Sequence, residues 1–244
     1  MIEANSGTSE RQRVLVAWEV RAERMATLSK QLLAAMAWLR SLPELEGEWV
    51  AEVGRRKVKV ACDSPPAAAR CIAAGARSTP PALVPEVYRQ AFYLGSPSRW
   101  RARVTLTAGT VHPPRGVPLP NRFELVLREP LAPQRARQAI VGLIGVYRPV
   151  FGVVGTERFP RAEPADARPA VGLVTYLSDW FGPVHDLPAG VEVASVTGFG
   201  SIIAAPAEAL SLAPREQKTV VRELATALKA RGLVRPYALE AARS

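Results

Sequence analysis

The sequence predicts an α+β fold: antiparallel sheet with helices packed on one side, arranged as two similar strand-plus-helix lobes. Three observations lead there. Segments that alternate apolar and polar residues recur at 13–20, 101–108 and 122–128, as half-buried strands require. Longer stretches beginning near Met25, Pro133 and Pro214 carry apolar residues at helical spacing. Each half of the chain reads as strands followed by a closing helix, which favours sheet and helices in separate layers.

Taken in order, residues 1–12 are polar and are expected to form a disordered tail. The 13–20 segment, RVLVAWEV, is the first strand. Met25, Leu28, Leu32, Met36 and Leu39 mark the apolar stripe of the first helix, with Thr27 and Ser29 on the other face and Pro43 as the stop. Strands at 49–53 and 57–62 flank Gly54-Arg55-Arg56 as a hairpin. Proline in the first turn and Gly75 beyond the end bound a short helix over 65–74. Strands follow at 89–94, 101–108 and 122–128, the last two separated by a loop with four prolines between 112 and 120.

The second main helix begins at Pro133, carries Ala136, Ile140, Leu143 and Tyr147 on its inner face, and ends at Pro149. A short strand at 151–154 precedes the charged, proline-rich stretch 157–169, the best lobe boundary in the chain. Beyond it, strands at 172–177, 191–196 and 200–205 lead to a closing helix over 214–230, ended by Gly232. The expected organisation is a tail over 1–12 and one domain over 13–235, whose finest division is lobes at 13–157 and 170–235.

Composition narrows the function. The chain has 244 residues, 48% of them hydrophobic and 22% charged, an ordinary globular balance that buries a core without disulfide or metal staples. Cys62 and Cys71 lie too close in sequence for a disulfide framework and read as small buried hydrophobes. The polar start lacks a secretory signal, and apolar runs are too short to span a bilayer, so a cytoplasmic protein with no membrane partner is expected. Net charge is +10, and residues 1–122 carry 18 Lys/Arg against 10 Asp/Glu while residues 123–244 carry 14 against 12. Most cations are isolated arginines, which reads as a solubilising surface; nucleic acid is the alternative partner for the basic half.

No catalytic pattern emerges. His185 stands beside Asp186 in a turn and His112 precedes Pro113 in a loop; neither comes with an activated nucleophile. Gly198-Phe199-Gly200-Ser201 lacks the third glycine and the helix of a phosphate loop and reads as a hairpin turn. Cys62 and Cys71 have no neighbours spaced to complete a zinc site. Glu48, Glu52 and Lys57 are the only local group resembling a metal-dependent nuclease constellation, and a solvated face explains them better. No enzyme, cofactor or metal is therefore expected. Trp180 and Phe181 are adjacent and must point differently, so one of them is a candidate exposed anchor.

Several segments together resemble the immunity protein 52 family. Ala17-Trp18-Glu19-Val20-Arg21-Ala22-Glu23 is similar to the family's opening strand signature, and the following helix, Leu42-Pro43 and Trp49 fit its layout. So do Asn121-Arg122-Phe123-Glu124-Leu125, the helix ending at Tyr147-Arg148-Pro149, and the string Val174-Thr175-Tyr176-Leu177-Ser178. The resemblance implies a non-enzymatic, stoichiometric binder of a cognate toxin from a polymorphic or type VI secretion system, often a nuclease.

Inhibitors of nucleases are often acidic, as mimics of the phosphate backbone. A chain of charge +10 is not expected to mimic DNA. Its interface is expected to be either a local acidic patch around Glu44, Glu46 and Glu48, or a contact with an acidic surface of the toxin. Tyr176, Ser178, Trp180 and Phe181 complete the candidate partner-binding set. Trp18, Arg21, Glu23 and Trp49 are read as structural members of the family motif: a first-strand tryptophan fills the core, and an Arg/Glu pair fixes the corner. The reading leaves room for a homodimer.

Overall fold

The computed structural model describes residues 11–19, 23–54, 58–77, 87–109, 121–156 and 169–235. Eleven strands and four helices follow in the order β1 (Gln12–Trp18), α1 (Met25–Arg40), β2 (Trp49–Val53), β3 (Val58–Ala61), α2 (Pro65–Ala74), β4 (Ala76–Arg77), β5 (Val87–Ser96), β6 (Arg99–Ala108), β7 (Asn121–Leu127), α3 (Pro133–Tyr147), β8 (Phe151–Thr156), β9 (Val174–Ser178), β10 (Glu192–Val196), β11 (Gly200–Ala204) and α4 (Pro214–Ala230). All the pairings are antiparallel, in one sheet of order β10-β11-β9-β8-β1-β7-β6-β5-β2-β3, with the two-residue β4 added on β5. The α+β class and the antiparallel sheet are those the sequence predicts. Strands of both expected lobes run in this one sheet, joined where Phe151 of β8 faces Leu177 of β9. The expected tail over 1–10, the hairpin residues Arg55, Arg56 and Lys57, His112 and the 157–168 stretch lie outside the described residues.

One face of the sheet carries the larger core. Val14, Val16 and Trp18 of β1, Phe123 and Leu125 of β7, and Val104 and Leu106 of β6 meet Leu28, Leu32 and Met36 of α1, Cys71 and Ile72 of α2, and Ile140, Leu143 and Tyr147 of α3. Proline opens α2, α3 and α4 within the first turn, where its missing N–H leaves no helical bond unmade. Ser29 departs from the predicted outer face: it is buried, and its hydroxyl donates to the Met25 carbonyl at 2.8 Å, satisfying itself within the helix.

The second face differs between the two halves of the sheet, and here the expectation of helices on one side needs correcting. Helix α4 packs on the side opposite to α1–α3. Its Val221, Leu224 and Leu228 cover Leu15 and Ala17 of β1, Phe151 and Val153 of β8, Leu177 of β9 and Ile203 of β11. The reason is in the strands. β8, β9 and β11 are apolar at successive positions, so both of their faces must be covered. Over Ala102–Ala108 of β6 and Asn121–Leu125 of β7, buried and half-buried positions alternate. Their second face presents Arg103, Thr105 and Thr107 beside Arg122 and Glu124, and among the described residues no helix lies on it.

The last strand of the order, β3, is an edge, and Lys59 there is exposed opposite Glu52 of β2. A lysine on an edge strand opposes edge-to-edge pairing.

Cys62 and Cys71 are free, fully buried thiols. Burial pushes the Cys62 thiol up to about 12, with the neighbouring Cys71 adding to it, and burial raises Cys71 as well. A raised thiol pKa favours the folded state below the ordinary thiol range. That contribution is lost as pH climbs from about 9 towards 12 and the unfolded chain ionises first. The native protein is therefore expected to react with a thiol reagent such as dithionitrobenzoate at pH 8 only as fast as it opens, and both thiols should titrate at once in denaturant. Immediate reaction of either native thiol would contradict the buried placement.

Candidate functional site

Trp18, Asn121 and Tyr147 from the family-motif strings meet at one end of the central strands. Trp18, the last residue of β1, pairs with Asn121, the first of β7. The Trp18 ring stacks on Tyr147 at 4.6 Å between centroids, and Tyr147 leans on Phe123 at 5.3 Å. Asn121 is fully buried and its amide donates to the Glu19 carbonyl at 2.7 Å, holding the chain as it leaves β1. Gln31 on α1 donates to the Glu23 carboxylate at 3.3 Å, and burial, with the charge of Glu23 adding to it, raises the Tyr147 phenol well above its ordinary value. Trp49 is likewise fully buried. Trp18 and Trp49 thus sit where a structural role requires; Arg21 lies outside the described residues.

Beside this cluster opens a polar pocket of about 420 Å³, walled by Glu19, Arg148, Tyr176, Ser178, Trp180 and Phe199 among others. Arg148 ends α3 in the left-handed conformation, φ 46°, with its N–H on the Ile144 carbonyl. That turn carries its guanidinium over the Phe199 ring, 5.7 Å from the centroid. Phe199 lies in the β10–β11 turn, and its carbonyl accepts from both the Tyr176 hydroxyl at 2.7 Å and the Asp179 N–H at 3.1 Å. Tyr176 is buried, and burial together with the nearby Asp179 charge raises its phenol above the ordinary range. Its hydroxyl is occupied in holding the turn. Ser178 is half-buried with a shielded hydroxyl, and its backbone N–H bonds the Val150 carbonyl.

Of the adjacent aromatics, Phe181 is buried and Trp180 half-buried, in an edge-to-face contact at 4.8 Å. Arg235 lies 4.6 Å from the centroid of the Trp180 ring and donates to the Trp180 carbonyl. The structure therefore brings Tyr176, Ser178 and Trp180 together on one pocket, with Phe181 behind them in the core.

Glu44, Glu46 and Glu48 are elsewhere. All three are exposed on the segment between α1 and β2. Arginines attend two of them: Arg135 lies 4.0 Å from the Glu44 carboxylate, and Arg101 donates to the Glu46 carbonyl at 2.9 Å. Glu44 also helps to wall a second cleft, of about 380 Å³, with Arg99, Trp100, Arg101, Arg128 and Glu129. This cleft lies at the opposite end of β7 from the Asn121 cluster.

Sequence reading missed Trp100. The signal was there in Arg99-Trp100-Arg101-Ala102-Arg103, an aromatic among arginines, but its placement depends on a bulge. Leu94 of β5 faces Ala102 while Gly95 faces Trp100, so Arg101 is an extra residue in β6. A bulge reverses the alternation beyond it and brings the Trp100 ring near Arg103, 5.4 Å from its centroid.

His185 and Asp186 form an exposed pair at 2.8 Å. Among the described residues no three His, Cys, Asp or Glu side chains gather to hold a metal ion, and no helix is long and apolar enough to cross a membrane.

The sequence model of the immunity protein 52 family matches residues 128–237, so the family resemblance is shown. The matched segment holds α3, β8–β11 and α4, and with them every pocket residue named above except Glu19; Trp18, Glu23 and Trp49 fall outside it. No curated protein matches the chain in sequence. Among solved structures, the Pseudomonas aeruginosa T6SS protein PA0821 shares the fold, with a TM-score of 0.55 and 13% identity over 88% of this chain and 77% of that one.

Proposed function

We propose that this chain is an immunity protein that binds a cognate toxin, a secreted nuclease effector, and neutralises it by stoichiometric occupation in the cytoplasm of the producing cell. The observation that carries the reading is the family match over 128–237. The fold shared with a T6SS protein over 88% of the chain supports type VI secretion as the route by which the toxin arrives. The architecture suits a binder: α1–α3 cover the central strands on one face of the sheet, while part of the other face offers ordered side chains on rigid strands.

The test is co-purification with the product of the adjacent gene, expressed with its active site inactivated. A 1:1 complex stable at moderate salt, together with protection of cells expressing the active toxin, is the expected result. Absence of a complex, with salt-sensitive retention of nucleic acid instead, would sink the reading and move the basic residues to a nucleic-acid role.

A further inference from the structure

We infer that the Trp100 cleft is the anchor point for the toxin and that it receives carboxylates from an acidic surface of that protein. The inference rests on the immunity reading and names the chemistry of the contact. Three guanidiniums surround one indole: Arg11, Arg103 and Arg128 lie 5.4, 5.4 and 4.9 Å from the Trp100 ring centroid. Of these, Arg128 lines the cleft itself, together with Arg99 and Arg101. An indole face attracts a cation, but Arg103 and Arg128 share this one ring; guanidiniums so placed repel each other, and an anion between them relieves that repulsion.

Among the described residues, the carboxylates near the cleft supply little of that anion to Arg99, Arg103 and Arg128. Glu124 on the same face is taken by Arg13 at 2.7 Å. Glu44 and Glu129 are in the cleft wall, yet Glu44 has Arg135 as its ion partner. Arg101 is spent on the carbonyl of Glu46. Among the described residues no carboxylate comes within ion-pair distance of Arg99, Arg103 or Arg128. Moreover, Arg103 Nε is shielded from solvent and has no acceptor among the described residues, and a buried donor without a partner is costly unless a ligand supplies one.

A protein carboxylate fits better than nucleic acid. Trp100 is 8% exposed and flanked by guanidiniums, so it offers no open platform on which a base could stack. Glu44 and Glu129 in the wall would oppose a run of phosphates, while the arginine forks suit single carboxylates. Tryptophan and arginine are also the residues that dominate protein interfaces.

The test uses the full chain and the inactivated toxin in titration calorimetry at two salt concentrations. The double variant Arg103→Gln/Arg128→Gln is expected to weaken Kd on the order of 100-fold and to flatten its salt dependence, and Arg103→Lys/Arg128→Lys should recover part of the loss. Arg222→Gln, on the exposed side of α4, removes one charge elsewhere and should leave Kd within about twofold. Should the double variant fail to fold, Arg99→Gln, exposed and outside the core, reads the same site and should weaken Kd about fivefold.

Tight binding by wild type with unchanged Kd in the arginine variants would overturn the anchor and leave the immunity reading standing. No binding by wild type would remove both. Two further results would overturn the anchor: an arginine-dependent affinity for a labelled oligonucleotide with no effect on toxin binding, or a homodimer that the same variants dissolve.

Discussion

Trp18→Ala is expected to lower the unfolding free energy by about 3–5 kcal/mol, among the largest losses any single side chain here can produce. Trp18 is fully buried, on the strand of the sheet that β7 and β8 flank, and its ring is stacked on Tyr147, which in turn leans on Phe123. Alanine would leave a cavity that its neighbours fill poorly, because the Tyr147 ring is already engaged on its other side and α3 and β7 are fixed by their own packing. Trp18→Phe, which keeps an aromatic ring but loses the stack's area, is expected to cost about 1–2 kcal/mol. Urea unfolding of the two variants gives both numbers. The folded fraction of Trp18→Phe should bind toxin with unchanged affinity. A loss of binding without a loss of stability would move Trp18 from the framework to the interface.

How much of this was legible follows from what each signal encodes. Helices α1, α3 and α4 could be read because apolar spacing and opening prolines are local, and the strands of β6 and β7 because alternation with solvent on one side is also local. The side on which α4 packs is not written in its own periodicity. It follows from the doubly apolar runs in β8, β9 and β11, such as Phe151 to Val154, whose meaning appears only once they are paired in the sheet's interior. Tyr176, Ser178 and Trp180 could be picked out as a group because they are near in sequence, and the structure does place them on one pocket. What could not be read is their state: Tyr176 is held by the Phe199 carbonyl from a turn 23 residues away. Glu44, Glu46 and Glu48 looked like an acidic patch in sequence, whereas pairing across the sheet puts Arg101 beside Glu46, and α3 brings Arg135 to Glu44. The arginine cluster at Trp100 was hidden by a bulge, which changes the facing of a residue without leaving a periodic trace.

The turn that builds the pocket allows a sharper test, because two glycines there are required for different reasons. Gly198 has φ +74° with open space where a Cβ would stand, and Gly200 has φ +147° with the Leu177 carbonyl oxygen and the Ser178 backbone occupying that space. Gly198→Ala therefore meets only the left-handed backbone penalty, about 1 kcal/mol. Gly200→Ala meets an unfavourable φ and a collision with backbone, which cannot swing aside as a side chain can. Gly200 faces Ser178 in the β9–β11 ladder, so relief has to come from parting those strands, and a loss of about 2–4 kcal/mol is expected. The damage should be local first: amides of Ser178, Asp179 and Phe199, bonded to the carbonyls of Val150, Phe199 and Val196, should exchange with deuterium much faster, while amides of β1 and β7 keep their protection. If the Trp100 cleft anchors the toxin, partly opening this distant turn should leave most of the affinity intact. If the pocket under Arg148 and Phe199 is the contact instead, Gly200→Ala should abolish binding while Arg103→Gln/Arg128→Gln spares it. The two variants, measured side by side, decide which end of the sheet meets the toxin.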